Sequence, residues 1–406
     1  MLVLWCILKK LFKSMRIVRI VRTFHPVGQG AFYSERFYFD GHKPAAHNIV
    51  YDCGTSLGQV GKVKSVVTQA FGKDDVIDYL FISHLDYDHI SLVQTLLSSV
   101  KGVRNIVLPL VPKDVLMTEM ALCQIAEQDE AVSFLSRVIG HLRGEHENDY
   151  YHGDYNIHFV AGEESVDNEV GRAHVFSSGV PRVADWDANW VFIPYNMGFR
   201  SRKKELIDKL DKALASYNDE ARAIGEEEFP SGKALYDRLK DDLFVGRIIT
   251  IAKLKNVIKS AYEKLPDGIN KNSLLLYSGP AKGVDRYFIR RIVPACYDRR
   301  WFFRYNAGCL YTGDNDWDLQ GWMNKPFADV WENIGTIQTP HHGSRESFDV
   351  AKNPINSWYY FPVSFGTNNS FGHPSGKVLS YLLANGCVPV PVTEQLNTAF
   401  YQTIVG

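Results

Sequence analysis

The apolar run Tyr79-Leu80-Phe81-Ile82 ends in Ser83-His84-Leu85-Asp86-Tyr87-Asp88-His89, which puts two imidazoles and two carboxylates into six residues. No other feature constrains the fold as strongly. The chain must leave a strand and enter a helix at His89 while alternate side chains converge on one point, as a divalent-ion site requires. A loop that merely caps the helix expected near residues 90–100, with Asp88 as its N-terminal carboxylate, needs one such residue rather than four.

Further short elements follow in order. Val27-Gly28-Gln29-Gly30 reads as a tight turn in which Gly28 and Gly30 allow close backbone approach. Ile49-Val50-Tyr51-Asp52-Cys53-Gly54 is an apolar strand ending on an acid and a glycine. Asn270-Lys271-Asn272-Ser273-Leu274-Leu275-Leu276, Leu310-Tyr311-Thr312-Gly313-Asp314, Pro340-His341-His342-Gly343-Ser344, Ser364-Phe365-Gly366 and Gly372-His373-Pro374-Ser375 complete the series. Together these resemble the H-x-[HD]-x-D-H signature and later elements of the metallo-β-lactamase fold, from about Val27 to Ser380. Within that fold the combination is similar to the hydrolase domain of the competence DNA-uptake channel protein, the ComEC-type branch. It is less similar to the antibiotic-degrading lactamases. No stretch approaches the roughly 18 uninterrupted apolar residues of a spanning helix, so the expectation is a stand-alone soluble relative without a transmembrane segment.

The resemblance implies an α/β fold, the αββα sandwich, and two divalent ions: zinc or manganese, with magnesium a further option. It implies metal ligands His84, Asp86, Asp88, His89, Asp314 and His373. Asp314 would bridge two ions about 3.5–4 Å apart. Asp88 would also orient the attacking hydroxide or hold its proton. The histidines His341 and His342 would face the scissile phosphate and assist departure of the alkoxide, as the corresponding element does in the RNA-processing endonucleases of the fold. Ser344 and the N–H groups around Gly343 would hold a phosphate oxygen, with Asn272 as a further polar group near the site. Asp52 reads either as an acceptor orienting a ligand histidine or as a turn aspartate. A histidine that the family often places between the first motif and the bridging aspartate has no clear counterpart. His141, His146, His152, His158 and His174 are present there, none in a convincing motif. Fewer protein ligands would favour manganese or magnesium over zinc.

The chain of 406 residues, 45% hydrophobic with a formal net charge of −1, carries no global basic footprint for coating duplex DNA. Its six cysteines form no C-x-x-C pair, which argues against a disulfide framework or zinc finger and for a reducing cytoplasm. Residues 1–14 read as an extension before Met15, where translation can equally begin; they lack the layout of a signal peptide.

Strand patterns at 16–24, 31–39, 48–52, 78–83 and 155–161 alternate with helical periodicity at 90–100 and 113–142. The expected organisation is a sandwich with halves 15–199 and 269–406, separated by a helical insertion at 200–268. Leu206, Leu210 and Leu214 and then Leu254, Ile258 and Tyr262 recur there at helical spacing. The insertion is also where a protein partner or substrate access would be set. Between Asp285 and Tyr305, Arg286, Arg290, Arg291, Arg299, Arg300 and Arg304 interleave with Tyr287, Phe288, Tyr297, Trp301, Phe302 and Phe303. That mixture suits either a phosphate track with stacking platforms or a hairpin with core aromatics and wet arginines. The functional expectation is a phosphodiesterase or nuclease using a metal-activated hydroxide on a nucleic acid. Its rivals are a hydrolase of esters, thioesters or lactones, and a non-catalytic partner-binding module working through residues 200–268.

Overall fold

The computed structural model describes residues 17–40, 47–56, 58, 60–143, 155–162, 174–184, 186–197, 203–224, 227–248, 251–263, 273–298, 306–355 and 358–406. Residues 1–14, His146, His152, Asn272 and the segment 299–305 with its three arginines lie outside them, as does the side chain of His141.

Sixteen strands form two sheets among the described residues. The first contains β1 (Ile17–Phe24), β2 (Phe32–Phe39), β3 (His47–Cys53), β4 (Val76–Phe81), β5 (Gly102–Pro109), β6 (Asn156–Val160), β7 (His174–Phe176), β11 (Phe288–Val293) and β16 (Phe400–Val405), in the order β11-β16-β1-β2-β3-β4-β5-β6-β7. The second contains β8 (Arg182–Ala184), β9 (Asp187–Asn196), β10 (Leu274–Pro280), β12 (Gly308–Tyr311), β13 (Ile334–Ile337), β14 (Tyr360–Ser364) and β15 (Val388–Val392), in the order β15-β14-β13-β12-β10-β9-β8. The sheets pack face to face, and helices cover their outer faces, which gives the αββα sandwich.

Strand composition follows from that layering. In β10 all seven residues are buried because both faces are covered. Leu274 and Leu276 point between the sheets, while Leu275 and Tyr277 join the outer cluster with Trp317, Trp322 and Leu382. Each fully buried leucine contributes roughly 1.5–3 kcal/mol. On the other outer face α1 (Val60–Ala70), α3 (Val93–Ser99), α4 (Lys113–Ile125) and α5 (Asp129–Arg143) bury Val63, Val67, Leu96, Leu97, Phe134 and Val138.

Between the sheets lies a buried ion pair of the first sheet, which hydrogen bonds tie to the second. Arg22 on β1 donates from Nε to Glu35 Oε1 at 2.7 Å, and Glu35 also accepts from Ser278 Oγ at 2.6 Å and Tyr311 Oη at 2.9 Å. The guanidinium reaches Ala307 O and Gln402 Oε1 as well. A buried pair of this kind is tolerable because its polar atoms have partners on both sheets.

Two helical expectations change in detail. The helix expected at 90–100 is split into α2 (Tyr87–Ile90) and α3, because Ser91 Oγ bonds Thr55 O and accepts from Thr55 N, and Leu92 N donates to Cys53 O. The periodic stretch 113–142 breaks at Glu127, where φ is +61°. Between β9 and β10 lie α6 (Lys203–Ile224), α7 (Gly232–Arg238), α8 (Asp242–Ile248) and α9 (Ala252–Glu263). Their stripes Leu206, Leu210, Leu214, Leu254 and Ile258 pack on one another and on Leu122 and Ile125 of α4.

Of the arginine-aromatic segment, the described part is an ordinary edge. Strand β11 pairs with β16, Tyr287 is buried in the core, and Arg286 pairs with Asp187 at 3.0 Å.

Gly54 ends β3 against the metal-motif loop. A Cβ there would lie 2.4 Å from Asp88 O, closer than atoms pack, whereas one on Gly58 would meet open space. Gly54→Ala is therefore expected to cost roughly 1–3 kcal/mol through overpacking, read as a lower urea midpoint, with Gly58→Ala close to wild type. Equal midpoints for the two variants would contradict this packing.

Candidate metal centre

Four loops at one edge of the sandwich supply the site: the β4–α2 turn, the turn after β12, the turn after β13, and the end of β3. Asp86 occupies the residue before α2, but no side chain there caps the helix. The carboxylates are thus left for other work, contrary to a capping role.

Asp52 organises the first loop. It is fully buried, with φ +55°, at a bulge where Phe32 pairs with Cys53 and Tyr33 with Tyr51, so Asp52 is the extra residue. Bulges beside functional sites re-aim a side chain. Here the carboxylate accepts from Ser83 N at 2.6 Å, from Ser83 Oγ at 2.7 Å and from His89 Nδ1 at 2.8 Å. With Nδ1–H committed to Asp52, His89 presents the Nε2 lone pair to the site. Of its two sequence readings, the geometry matches that of an acceptor orienting a ligand histidine.

The converging atoms form two groups, His84–His89–Asp314 and Asp88–His89–His342, each within 4.8 Å. Asp314 Oδ1 is 3.2 Å from His89 Nε2 and 3.8 Å from His342 Nε2, and Asp314 Oδ2 is 4.0 Å from His84 Nε2. This places Asp314 centrally, as a bridging carboxylate requires. Asp88 Oδ2 lies 3.4 Å from His342 Nε2. Asp86 Oδ2 lies 3.6 Å from His84 Nε2 and belongs to neither group.

Whether divalent ions fit is decided by unsatisfied atoms. His89 Nε2, His342 Nε2 and Asp314 Oδ1 are buried without a hydrogen-bond partner. Orphaned lone pairs in the interior cost roughly 1–3 kcal/mol each, and three aimed at a common point are what a cation would satisfy. The donor set of imidazole and carboxylate suits zinc or manganese. The surrounding carboxylates favour positive charge at this point, a proton on His89 when no cation takes its place. Burial would pull the His89 imidazole down, but Asp314, Asp52 and Asp88 hold it well above its ordinary value. Asp314 falls well below the usual carboxylate range despite burial, because His89, His342 and His341 face it. Asp86 goes the other way, raised well above that range by burial, then Glu119, then Asp88.

The structure divides the two adjacent histidines. His341 and His342 have φ of +47° and +52°, and Gly343 follows at +78°. Non-glycine residues in that region are strained and cluster at functional sites. The reversal sends His342 inward, its Nδ1 donating to Ser364 O at 2.8 Å, so that Nε2 joins the ligand group. His341 turns away, with Nδ1 2.8 Å from Ser347 Oγ. His342 thus sits where a metal ligand was expected of His373. His373 lies in neither group: Asn369 Oδ1 accepts from its N–H and Asn369 Nδ2 donates to its carbonyl, and its ring stacks on His341 with centroids 5.5 Å apart. Ser344 donates from N to His341 O and accepts at Oγ from Glu346 N within its own turn. His158 bonds Asn105 and stacks on Phe176, and like His174, on the neighbouring strand, it lies in neither group.

Several contributors escaped the sequence reading. Ser83 and Ser273 both approach His84 Nδ1, at 2.9 and 3.1 Å, and Ser273 Oγ accepts from Asp314 N. Gln338 Oε1 accepts from Thr312 N and Gly313 N, fixing the turn that carries Asp314. Ser83 and Ser273 flank recognised motifs, which was the available signal. Gln338 had none.

Residues 44–104, which span β3 to β5 and the whole first motif, match the family described as Metallo-beta-lactamase superfamily. No curated protein gives a significant match. The fold is the metallo-β-lactamase sandwich, and the general activity this implies is metal-dependent hydrolysis with divalent ions. No helix among the described residues is long and apolar enough to cross a membrane.

Removal of the Asp52 acceptor by Asp52→Asn is expected to weaken metal binding roughly 10- to 100-fold, and His342→Ala should reduce the bound metal per chain. His373→Ala should keep the wild-type metal content. Elemental analysis after dialysis against zinc or manganese checks all three; metal loss in His373→Ala with retention in His342→Ala would reverse the assignment.

Proposed function

We propose that the protein is a metal-dependent phosphodiesterase acting on nucleic acid, a nuclease of the ComEC-like branch working in the cytoplasm. The observation that carries this reading is the stacked pair His341–His373 beside, but outside, the ligand groups. A proton donor assists departure of an alkoxide from an ester as it does from a phosphodiester, and a donor flanked by an exposed aromatic face suits a nucleotide in particular. His341, half-buried and fixed at Nδ1 by Ser347, suits that donor role. Phe371, 69% exposed and 5.9 Å from His373 by ring centroids, supplies a face on which a base can stack.

Divalent ions held by His84, Asp86, Asp88, His89, Asp314 and His342 would neutralise the phosphoryl oxygens and acidify the attacking water. The chain's own residues do the rest. Asp88, whose side chain is 26% exposed against 9% for Asp314, is the carboxylate that solvent reaches; it orients the nucleophile and holds its proton. Asp52 keeps His89 in the correct tautomer. His341 and His373 lie beside the ligand groups, and the loop between β14 and α10 (Gly376–Ala384) carries Phe371.

End-labelled single-stranded DNA, duplex DNA and RNA, incubated with manganese, magnesium or zinc, test the proposal. Cleavage is expected in wild type, lost by at least about 100-fold in Asp88→Ala and lowered roughly 10- to 100-fold in His341→Ala with metal content intact. Absence of cleavage by metal-loaded protein, together with turnover of an ester, thioester or lactone, would move the assignment to carbonyl chemistry. Normal cellular function of an Asp88→Ala, Asp314→Ala protein would instead favour a partner-binding module at residues 200–268.

A further inference from the structure

Strands β11, β16, β1 and β2 form one end of the first sheet. The helices α1, α3, α4 and α5 bury outward residues of β3 to β6 and, on β2, Phe32 at its first position; among the described residues, none of β1, β11 or β16 belongs to that cluster. The face left open is basic. Glu35 is the only acid in the four strands, and it points between the sheets to Arg22.

Strand register defines what the face presents. Arg291, Thr403, Val21 and Arg36 are successive partners straight across it. Arg19 lies opposite Tyr38 in the row farther from the metal centre, and Tyr401 lies opposite Thr23 in the nearer row. Two bulges enlarge the face. The register shifts between Ile17 and Arg19 in β1 and between Ile289 and Arg291 in β11, so that Val18-Arg19 and Arg290-Arg291 are exposed between isoleucines that stay buried. A regular strand would turn one residue of each pair inward.

The Arg19 guanidinium lies 3.9 Å from the centroid of the Tyr38 ring, and Tyr401 is 38% exposed. Arg36, at the border with the helices, is held by Asp75 at 2.7 Å, whereas Arg19 and Arg291 pair with no carboxylate among the described residues. Arginines clear of acids, set among aromatic rings on an open sheet, have the chemistry to hold a phosphate chain and stack its bases.

We propose that this face binds single-stranded nucleic acid, with Arg19 and Arg291 on phosphates and Tyr38 and Tyr401 against bases. Bases paired and stacked in a duplex offer no open face to such rings, so the ligand is a single strand. The proposal rests on the nucleic-acid reading of the metal centre for its choice of ligand. It adds a route to that centre, because the row of Tyr401 and Thr23 continues through Ser34 to Val50, two residues before Asp52.

Fluorescence anisotropy of a labelled oligothymidylate of about 20 nucleotides, titrated with the full chain in chelator so that nothing is cleaved, tests it. Arg19→Ala combined with Arg291→Ala should weaken binding at least about 10-fold and flatten the log-log salt slope by about 1.4, since each single-strand phosphate contact contributes about 0.7. Tyr401→Ala should weaken binding about 5-fold or more with the slope unchanged. Lys204→Ala combined with Lys212→Ala, which removes the same charge from the exposed side of α6, should bind as wild type. Equal losses in the two double variants, or unchanged affinity in the Arg19, Arg291 and Tyr401 variants, would overturn the proposal. So would poly-glutamate displacing the label as well as unlabelled oligonucleotide does, which would give the face to an acidic protein. Self-association of wild type that the same substitutions abolish would give it to a second copy. Bis(nitrophenyl) phosphate, too small to reach from the metal centre to this face, keeps the two readings apart. Its hydrolysis by manganese-loaded wild type, with oligonucleotide affinity unchanged in the variants, removes the surface alone; the expected binding without any hydrolysis removes the phosphodiesterase reading alone.

Discussion

The hydrogen bonds of Asp52 are what the rest of the site depends on. One carboxylate receives the Ser83 N–H, the Ser83 hydroxyl and the His89 imidazole. It thereby joins the end of β3 to the β4–α2 turn and sets which nitrogen of His89 faces the site. Burial raises the Asp52 carboxyl, while His89 and Ser83 act against that rise. Around this point the backbone leaves little room: Ala31 N donates to Asp88 O, and Cβ atoms on Gly30 or Gly54 would press on the same carbonyl.

The sandwich supplies the remaining geometry by bringing strand ends together. Arg22, Glu35, Ser278 and Tyr311 connect the two sheets at their centre. Tyr311 is followed directly by the turn carrying Asp314, so a buried bond between the sheets fixes the approach of one motif to another. Gln338 connects that turn to the strand before His341. His84, His89 and His342 are thus each held by a residue distant in sequence, Ser273, Asp52 and Ser364, which limits their freedom before any ion arrives.

Legibility in the sequence followed locality. His84, Asp88 and His89 stood out because their spacing is contiguous and a strand precedes them, and the structure brings these three into candidate ligand groups while leaving Asp86 outside both. Asp314 was readable from a three-residue element. His342 was expected to face the phosphate with His341, and its place in a ligand group depends on two left-handed residues in succession, a reversal of which propensity gives no warning. His373 follows from the same cause: with His342 turned inward, His373 meets His341 instead. The sandwich and the helical stripes were visible as periodicity, whereas the break at Ser91 depends on bonds to Thr55 and Cys53 about forty residues earlier.

The bulge at Asp52 also changes the phase of the strand that carries it. Before it, Ile49 and Tyr51 face the space between the sheets and Val50 faces the helices; after it, Cys53 faces the helices too. Odd and even positions exchange sides at this one residue. Removing a single residue here would keep the pairing of β2 with β3 regular and every flanking side chain buried, yet leave His89 without its acceptor. Strand arithmetic, rather than residue identity alone, is therefore part of the site's specification.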